Sequence, residues 1–180
     1  MATPTTLPAA FVSGNVLTAA QLNDLRGAFR VLQVVQTQKT DTFTMTSSTL
    51  ADITGFSATI TPSSTSSLVL VISVLSLGAN DGSTQGVTQL LRGSTAIAQG
   101  DTAGSRLRRT NYFSGTSFSA PTETTIWLDS PASASALTYK MQIASLVNGQ
   151  TVAVNRSIQD SDNTTTARSV SSLTLMEISA

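Results

Sequence analysis

Few side chains in this sequence could do chemistry, and those present favour binding over catalysis. The chain has 180 residues, no His, no Cys and only two Glu. That removes imidazole bases, thiolate nucleophiles, disulfides and Cys/His metal sites. A serine nucleophile would need Lys39 or Lys140 as its base, and neither sits in a motif with a serine. Glycoside hydrolysis needs two carboxylates on facing elements. Asp101, Glu123, Asp129, Asp160 and Asp162 are available, but each lies beside a turn signal or a strand end. The expectation is therefore no catalytic residue, no cofactor and no enzyme activity.

Three places could bind something. Asp160-Ser161-Asp162-Asn163 alternates oxygen ligands and could hold a hard cation such as Ca²⁺. It lacks the glycine and distal glutamate of an EF-hand, and Asp and Asn are ordinary turn residues, so no metal is assigned. Arg106, Arg108 and Arg109 precede Tyr112 and Phe113. On a strand, Arg106 and Arg108 would share a face that meets a glycan, a nucleic acid or a neighbouring subunit, or pairs with acids such as Asp101. A subunit contact or acid pairing is favoured, because the arginine fork suits interfaces and carboxylates. Trp127, the only tryptophan, shares a strand face with Thr125 and Asp129, while Ile126 and Leu128 point the other way. It could stack on a sugar or sit at a subunit boundary, where aromatic residues are enriched. Asn155-Arg156-Ser157 and Asn163-Thr164-Thr165 match the glycosylation sequon, a pattern common by chance in so Ser/Thr-rich a chain.

The elements that must position these residues follow from composition. Charged residues are 11%, against about 25% in an ordinary globular chain. Twenty-six Ser and 29 Thr take their place. Thr favours strands and Ser favours turns, while 40% hydrophobic content argues against disorder, so the chain reads as all-β. Net charge is zero, which provides no field for nucleic acid or an anionic membrane. The first eight residues lack the basic and apolar regions of a signal peptide, and the longest apolar stretch, 68–77, is too short to span a bilayer as a helix.

Residues 1–17, with Pro4 and Pro8, read as an extended arm with no core of its own. Thr18-Ala19-Ala20-Gln21 is a capping box, and the spacing predicts a helix over 18–30. Leu22, Leu25, Phe29 and Leu32 form an a/d stripe suited to a trimeric stalk. From 31 onward the period falls to 2. Strands are expected near 42–46, 53–60, 68–77, 87–92, 96–99, 107–113, 124–128, 137–146, 151–155 and 171–178, with 68–77 central and Gly55 at a bulge. Asn148-Gly149 is the dipeptide of a two-residue hairpin turn. Short strands about ten residues apart predict an antiparallel β-sandwich over 31–180, preferably a jelly roll.

Several stretches carry a resemblance. Leu90-Leu91-Arg92-Gly93-Ser94-Thr95, Gly100-Asp101, Trp127-Leu128-Asp129-Ser130-Pro131, Leu137-Thr138-Tyr139-Lys140, Val154-Asn155-Arg156-Ser157 and Leu173-Thr174-Leu175-Met176-Glu177-Ile178 resemble recurrent segments of tailed-bacteriophage virion structural proteins. The opening Phe11 to Asn23 looks like the N-terminal segment of phage tail-associated and fibre-like proteins. The resemblance implies a structural virion protein of the tail-fibre or minor fibre-like type, commonly a homotrimer with a β-sandwich head. A long fibre would need a shaft, which this length does not contain. The expectation is thus a short trimeric fibre or knob. It docks on other virion proteins through residues 1–17, presents its head for host attachment, and reaches a host-surface glycan through its loops. A trimeric capsid decoration (cement) protein and a monomeric carbohydrate-binding module are the alternatives. Nucleic-acid binding and membrane insertion are not expected.

Overall fold

A computed structural model describes residues 31–80 and 83–179, together with Gly14, Val16, Thr18 and Ala19. Eleven strands run through the described residues: β1 (Val31–Lys39), β2 (Phe43–Met45), β3 (Ala51–Ile60), β4 (Leu68–Ala79), β5 (Gln85–Arg92), β6 (Thr95–Ile97), β7 (Asn111–Ser114), β8 (Thr122–Asp129), β9 (Leu137–Ser145), β10 (Val152–Val154) and β11 (Ser171–Ile178). They form two antiparallel sheets. In one, β4 pairs with β11 and β8 along its length, β1 pairs with β11, and β10 links the end of β4 to β2. The other is ordered β3-β9-β5-β6, with β7 also on β5.

The pairing is that of a jelly roll. With the three-residue strands β2, β6 and β10 set aside, the first long strand pairs with the last (β1 with β11). The second then pairs with the seventh (β3 with β9), the third with the sixth (β4 with β8) and the fourth with the fifth (β5 with β7). A long hairpin rolled onto itself gives this order, and the two sheets enclose one core. Among the described residues no helix is long and apolar enough to cross a membrane.

Local chemistry sets which side of each strand faces inward. In β3 the inward residues are Ile53, then Phe56, Ala58 and Ile60, all buried. The phase changes from odd to even at Gly55, where φ is +76° and the β3–β9 register shifts between Asp52 and Ser57. Five steps on β3 oppose two on β9, and this odd offset of three residues turns the following side chains over, while glycine reaches that φ without a Cβ clash. Val69, Val71, Leu75, Met141, Ile143, Leu173 and Leu175 belong to the same core, each at most 1% exposed. Burying each such side chain stabilises by about 1.5–3 kcal/mol.

Three expectations change. Leu32 lies in β1, not on a helical stripe. It falls where the β1–β11 register shifts between Val31 and Gln33, and it is 42% exposed. It belongs to the strand Val31–Lys39 but has no partner in the β1–β11 register, as the extra residue of a bulge does. Leu22, Leu25 and Phe29, like most of the arm and of the predicted helix, lie outside the described residues. The expected strand at 107–113 begins only at Asn111. Asn148-Gly149 does form a turn, with Gly149 at φ +84° and the Gln150 amide bonded to the Val147 carbonyl. It joins no hairpin, because β9 pairs with β3 and β5 whereas β10 pairs with β2 and β4.

Candidate functional site

The arginine cluster sits on a segment that crosses the outer side of β5. Gln89 points outward from β5 yet is 2% exposed, because this segment covers it. Its amide donates to the Ile97 carbonyl and to Thr110 Oγ1, both at 3.2 Å, and Gln99 Nε2 donates to Gln89 Oε1 at 3.0 Å. Thr110 Oγ1 accepts from the Leu90 amide at 2.8 Å. These bonds replace a ladder, which is why 107–110 is not strand. Arg106 and Arg108 therefore do not share a strand face. Arg108 Nε donates to the Gly100 carbonyl at 2.7 Å, and Arg109 Nη1 donates to the Arg108 carbonyl at 2.7 Å.

Arg106, Leu107, Arg109, Tyr112, Val87 and Leu146 line an open hollow of about 540 Å³. Leu107 and Tyr112 are more than half exposed. Among the described residues no carboxylate pairs with Arg106, Arg108 or Arg109, so the expected partnership with Asp101 is not made. Arg109 Nε is buried with no hydrogen-bond partner. The hollow thus combines an apolar floor, an aromatic edge and unpaired guanidinium charge, a set that recognises an anionic group on an otherwise apolar or ring-shaped ligand.

The loop at 160–163 is arranged differently from a cation site. Asp160 Oδ2 lies 2.8 Å from Arg168 Nη2 and 3.5 Å from Arg156 Nη1, so two cations already neutralise it. Asn163 Oδ1 accepts from the Thr165 amide at 2.9 Å and from its hydroxyl at 2.6 Å. Among the described residues no group of three acids gathers to hold a metal. Of the two sequons, Asn155 is fully buried and Asn163 is exposed.

Trp127 ends the inward-facing row Val35–Leu175–Val71–Trp127 across the β1–β11–β4–β8 sheet. Its place on β8, at the sheet's margin, leaves it 40% exposed. Two residues on, Asp129 is buried and accepts from Arg92 Nη1 at 2.8 Å and from the Tyr139 hydroxyl at 2.7 Å. Burial and that bond to a carboxylate push the Tyr139 hydroxyl well above the usual phenol range. The triad ties β5, β8 and β9 together across the sandwich.

Both lysines are similarly engaged. Lys39 Nζ is buried, 2.9 Å from both Asp41 oxygens and 2.7 Å from the Thr54 carbonyl. That bond holds Asp41 below the usual carboxylate range. Lys140 Nζ lies 2.7 Å from Asp52, which it lowers with help from Gln142. Two buried groups escaped the sequence reading. Asn155, at φ +63°, donates to the Lys39 and Asp41 carbonyls and accepts from the Ser171 hydroxyl. Glu177 is 1% exposed and has no ion-pair partner among the described residues. It accepts from Gln33 Nε2 at 2.6 Å, from the Ser63 amide and hydroxyl at 2.7 and 2.6 Å, and from the Ser67 hydroxyl at 2.7 Å. Burial alone would raise this carboxyl, but the hydrogen bonds from Ser63, Gln33 and Ser67 outweigh it and hold it at about 2. The signal was an acid in phase with the apolar residues Leu173 and Leu175 of an alternating strand.

Comparison with known proteins adds little. No protein family matches the chain, and no curated protein matches it. Among solved structures it is similar to one from infectious bursal disease virus, Gx strain, with a TM-score of 0.38 and 12% identity over 81% of this chain and 38% of that chain. The chain thus spans well under half of that protein, and the likeness is too slight to carry an argument.

Proposed function

We propose that this chain is a structural protein of a tailed-bacteriophage particle, a short homotrimeric fibre or knob that works by surface contact. It anchors through residues 1–17 and presents the jelly-roll head for host attachment. The observation that carries the reading is the state of the groups a catalyst would need. Both lysines are bonded to carboxylates, and the buried acids Asp129 and Glu177 accept hydrogen bonds that join strands and loops. Jelly rolls recur in viral capsid and lectin domains, which supports this class by analogy of fold only. The segment resemblances to phage virion proteins support the finer assignment.

Host contact falls to the hollow at Arg106, Arg109 and Tyr112, where Arg106 and Tyr112 are exposed and neither arginine has an acid partner among the described residues. The test uses the purified full chain and susceptible cells. Binding to the cells and competition with phage adsorption, both reduced by Arg106→Ala with Arg109→Ala, are the expected results. A chain that is present on particles but shows neither effect at saturating concentration is a decoration protein instead.

A further inference from the structure

We infer that the outer face of the β1–β11–β4–β8 sheet is a subunit interface, covered by the same face of neighbouring copies of this chain. The inference rests on the homo-oligomer part of the reading above and not on its virion part. Register places Val34, Met176, Leu70 and Leu128 side by side in one row across all four strands. In the next row Ile72 lies beside Ile126. Val34, Ile126 and Leu128 are 56%, 66% and 52% exposed, respectively. No outward position on these four strands between Val34 and Gln38, Leu68 and Val74, Thr124 and Leu128, or Ser172 and Ile178 carries a charge.

The other sheet supplies the contrast. Its outer face carries the Lys140–Asp52 ion pair, as expected of a face meeting water, whereas the polar side chains of the first face, Gln36, Gln38 and Thr174, are uncharged and bond one another. Antiparallel sheets normally alternate apolar inward with polar outward. β4 breaks that rule, with Leu68, Leu70, Ile72 and Val74 all facing out.

A second copy fits this face better than a different partner. The surface is neutral, so like surfaces meet without repulsion and no complementary charge is called for. The apolar side chains run out to β1 and β8, each of which pairs on one side only among the described residues. Long apolar edge strands left bare promote aggregation, and copies set around a common axis would cover face and edges together. Four strands at about 4.8 Å spacing and six residues at about 3.3 Å give a flat area of about 400 Å². That is roughly half of the ~800 Å² each partner contributes to a standard interface. The balance falls to the edges of β1 and β8, which flank the face.

The test is the solution mass of the full chain at micromolar concentration, for the natural sequence and three variants. Ile126→Lys and Val34→Lys place charge at opposite margins of the face. Phe118→Lys, at a residue 69% exposed and outside the four strands, is the control. A natural mass about three times 18.7 kDa is expected. Association should weaken at least tenfold in the two face variants, with the β-sheet circular dichroism kept, and stay unchanged in the control. If the natural chain is a monomer, the oligomer reading and this interface both fall. If it is an oligomer and both face variants keep its mass, the oligomer stands and this interface is wrong. Should a lysine variant lose its β signature, Leu128→Cys gives the chain a sole thiol. Alkylation at least tenfold slower at high protein concentration than at low supports the interface, and equal rates overturn it.

Discussion

Glu177 offers the sharpest test of the physical account, because its stabilisation depends on pH in a direction the geometry fixes. Its folded carboxyl sits at about 2, against 4.5 when unconstrained. The difference, at about 1.36 kcal/mol per unit, is about 3 kcal/mol. The unfolded chain binds this proton more readily than the folded one does. The contribution is therefore complete above pH 4.5 and is lost as pH falls from 4.5 toward 2. A loss of that size is a large share of an ordinary domain's 5–15 kcal/mol. Asp41 and Asp52 are also lowered, by Lys39 and Lys140, so acid sensitivity alone does not single out Glu177. The informative quantity is the difference between the natural chain and Glu177→Gln. Urea denaturation at pH 7 should show the variant about 3 kcal/mol less stable, and at pH 2.5 the gap should shrink to less than half. A gap that is the same at both pH values would refute the assignment of an ionised, hydrogen-bonded carboxylate.

Other substitutions probe packing and polar networks. A Cβ at Gly78 would land on the Arg156 carbonyl oxygen, and one at Gly86 on the Phe113 ring. Both alanine variants should lose about 1–3 kcal/mol, with Gly78→Ala the worse because backbone cannot rotate away; thermal melting compares them. Asn155→Ala removes two donated bonds and one accepted bond in a buried site, so about 3 kcal/mol or more should disappear from the denaturant midpoint analysis. Asp129→Ala strands Arg92 and the buried Tyr139 hydroxyl and should cost about 3–5 kcal/mol, and Asp129→Asn should recover part of it.

The strands were readable where one local pattern ruled, and obscure where pairing was distant. The apolar run 68–77 reads as a central strand, and β4 is central. Its continuity has a different origin, however: Leu68, Leu70, Ile72 and Val74 face outward on an apolar sheet surface. Gly55 marked its bulge because only a phase change reconciles Ile53 with Phe56. Leu32 misled because a 3-4-3 spacing can run into a strand by chance, and nothing local reveals that Ile178 and its neighbours wait to pair there. The alternating Arg and apolar residues at 106–109 looked like a strand, yet Gln89 and Thr110, held through side-chain bonds, decide their path. Asp160 resembled a ligand because its arginine partners, Arg156 and Arg168, are not marked as such by sequence. In each case the missing information was which residues meet across the sheets.

The central claim is that this chain is a surface component of a phage particle. The direct measurement is electron microscopy of purified particles of the phage that encodes it, with a gold-labelled antibody raised against the chain, beside quantitative mass spectrometry of the same particles. The account predicts label on the outside of the particle and a copy number divisible by three. A chain abundant in infected cells but missing from purified particles would contradict it.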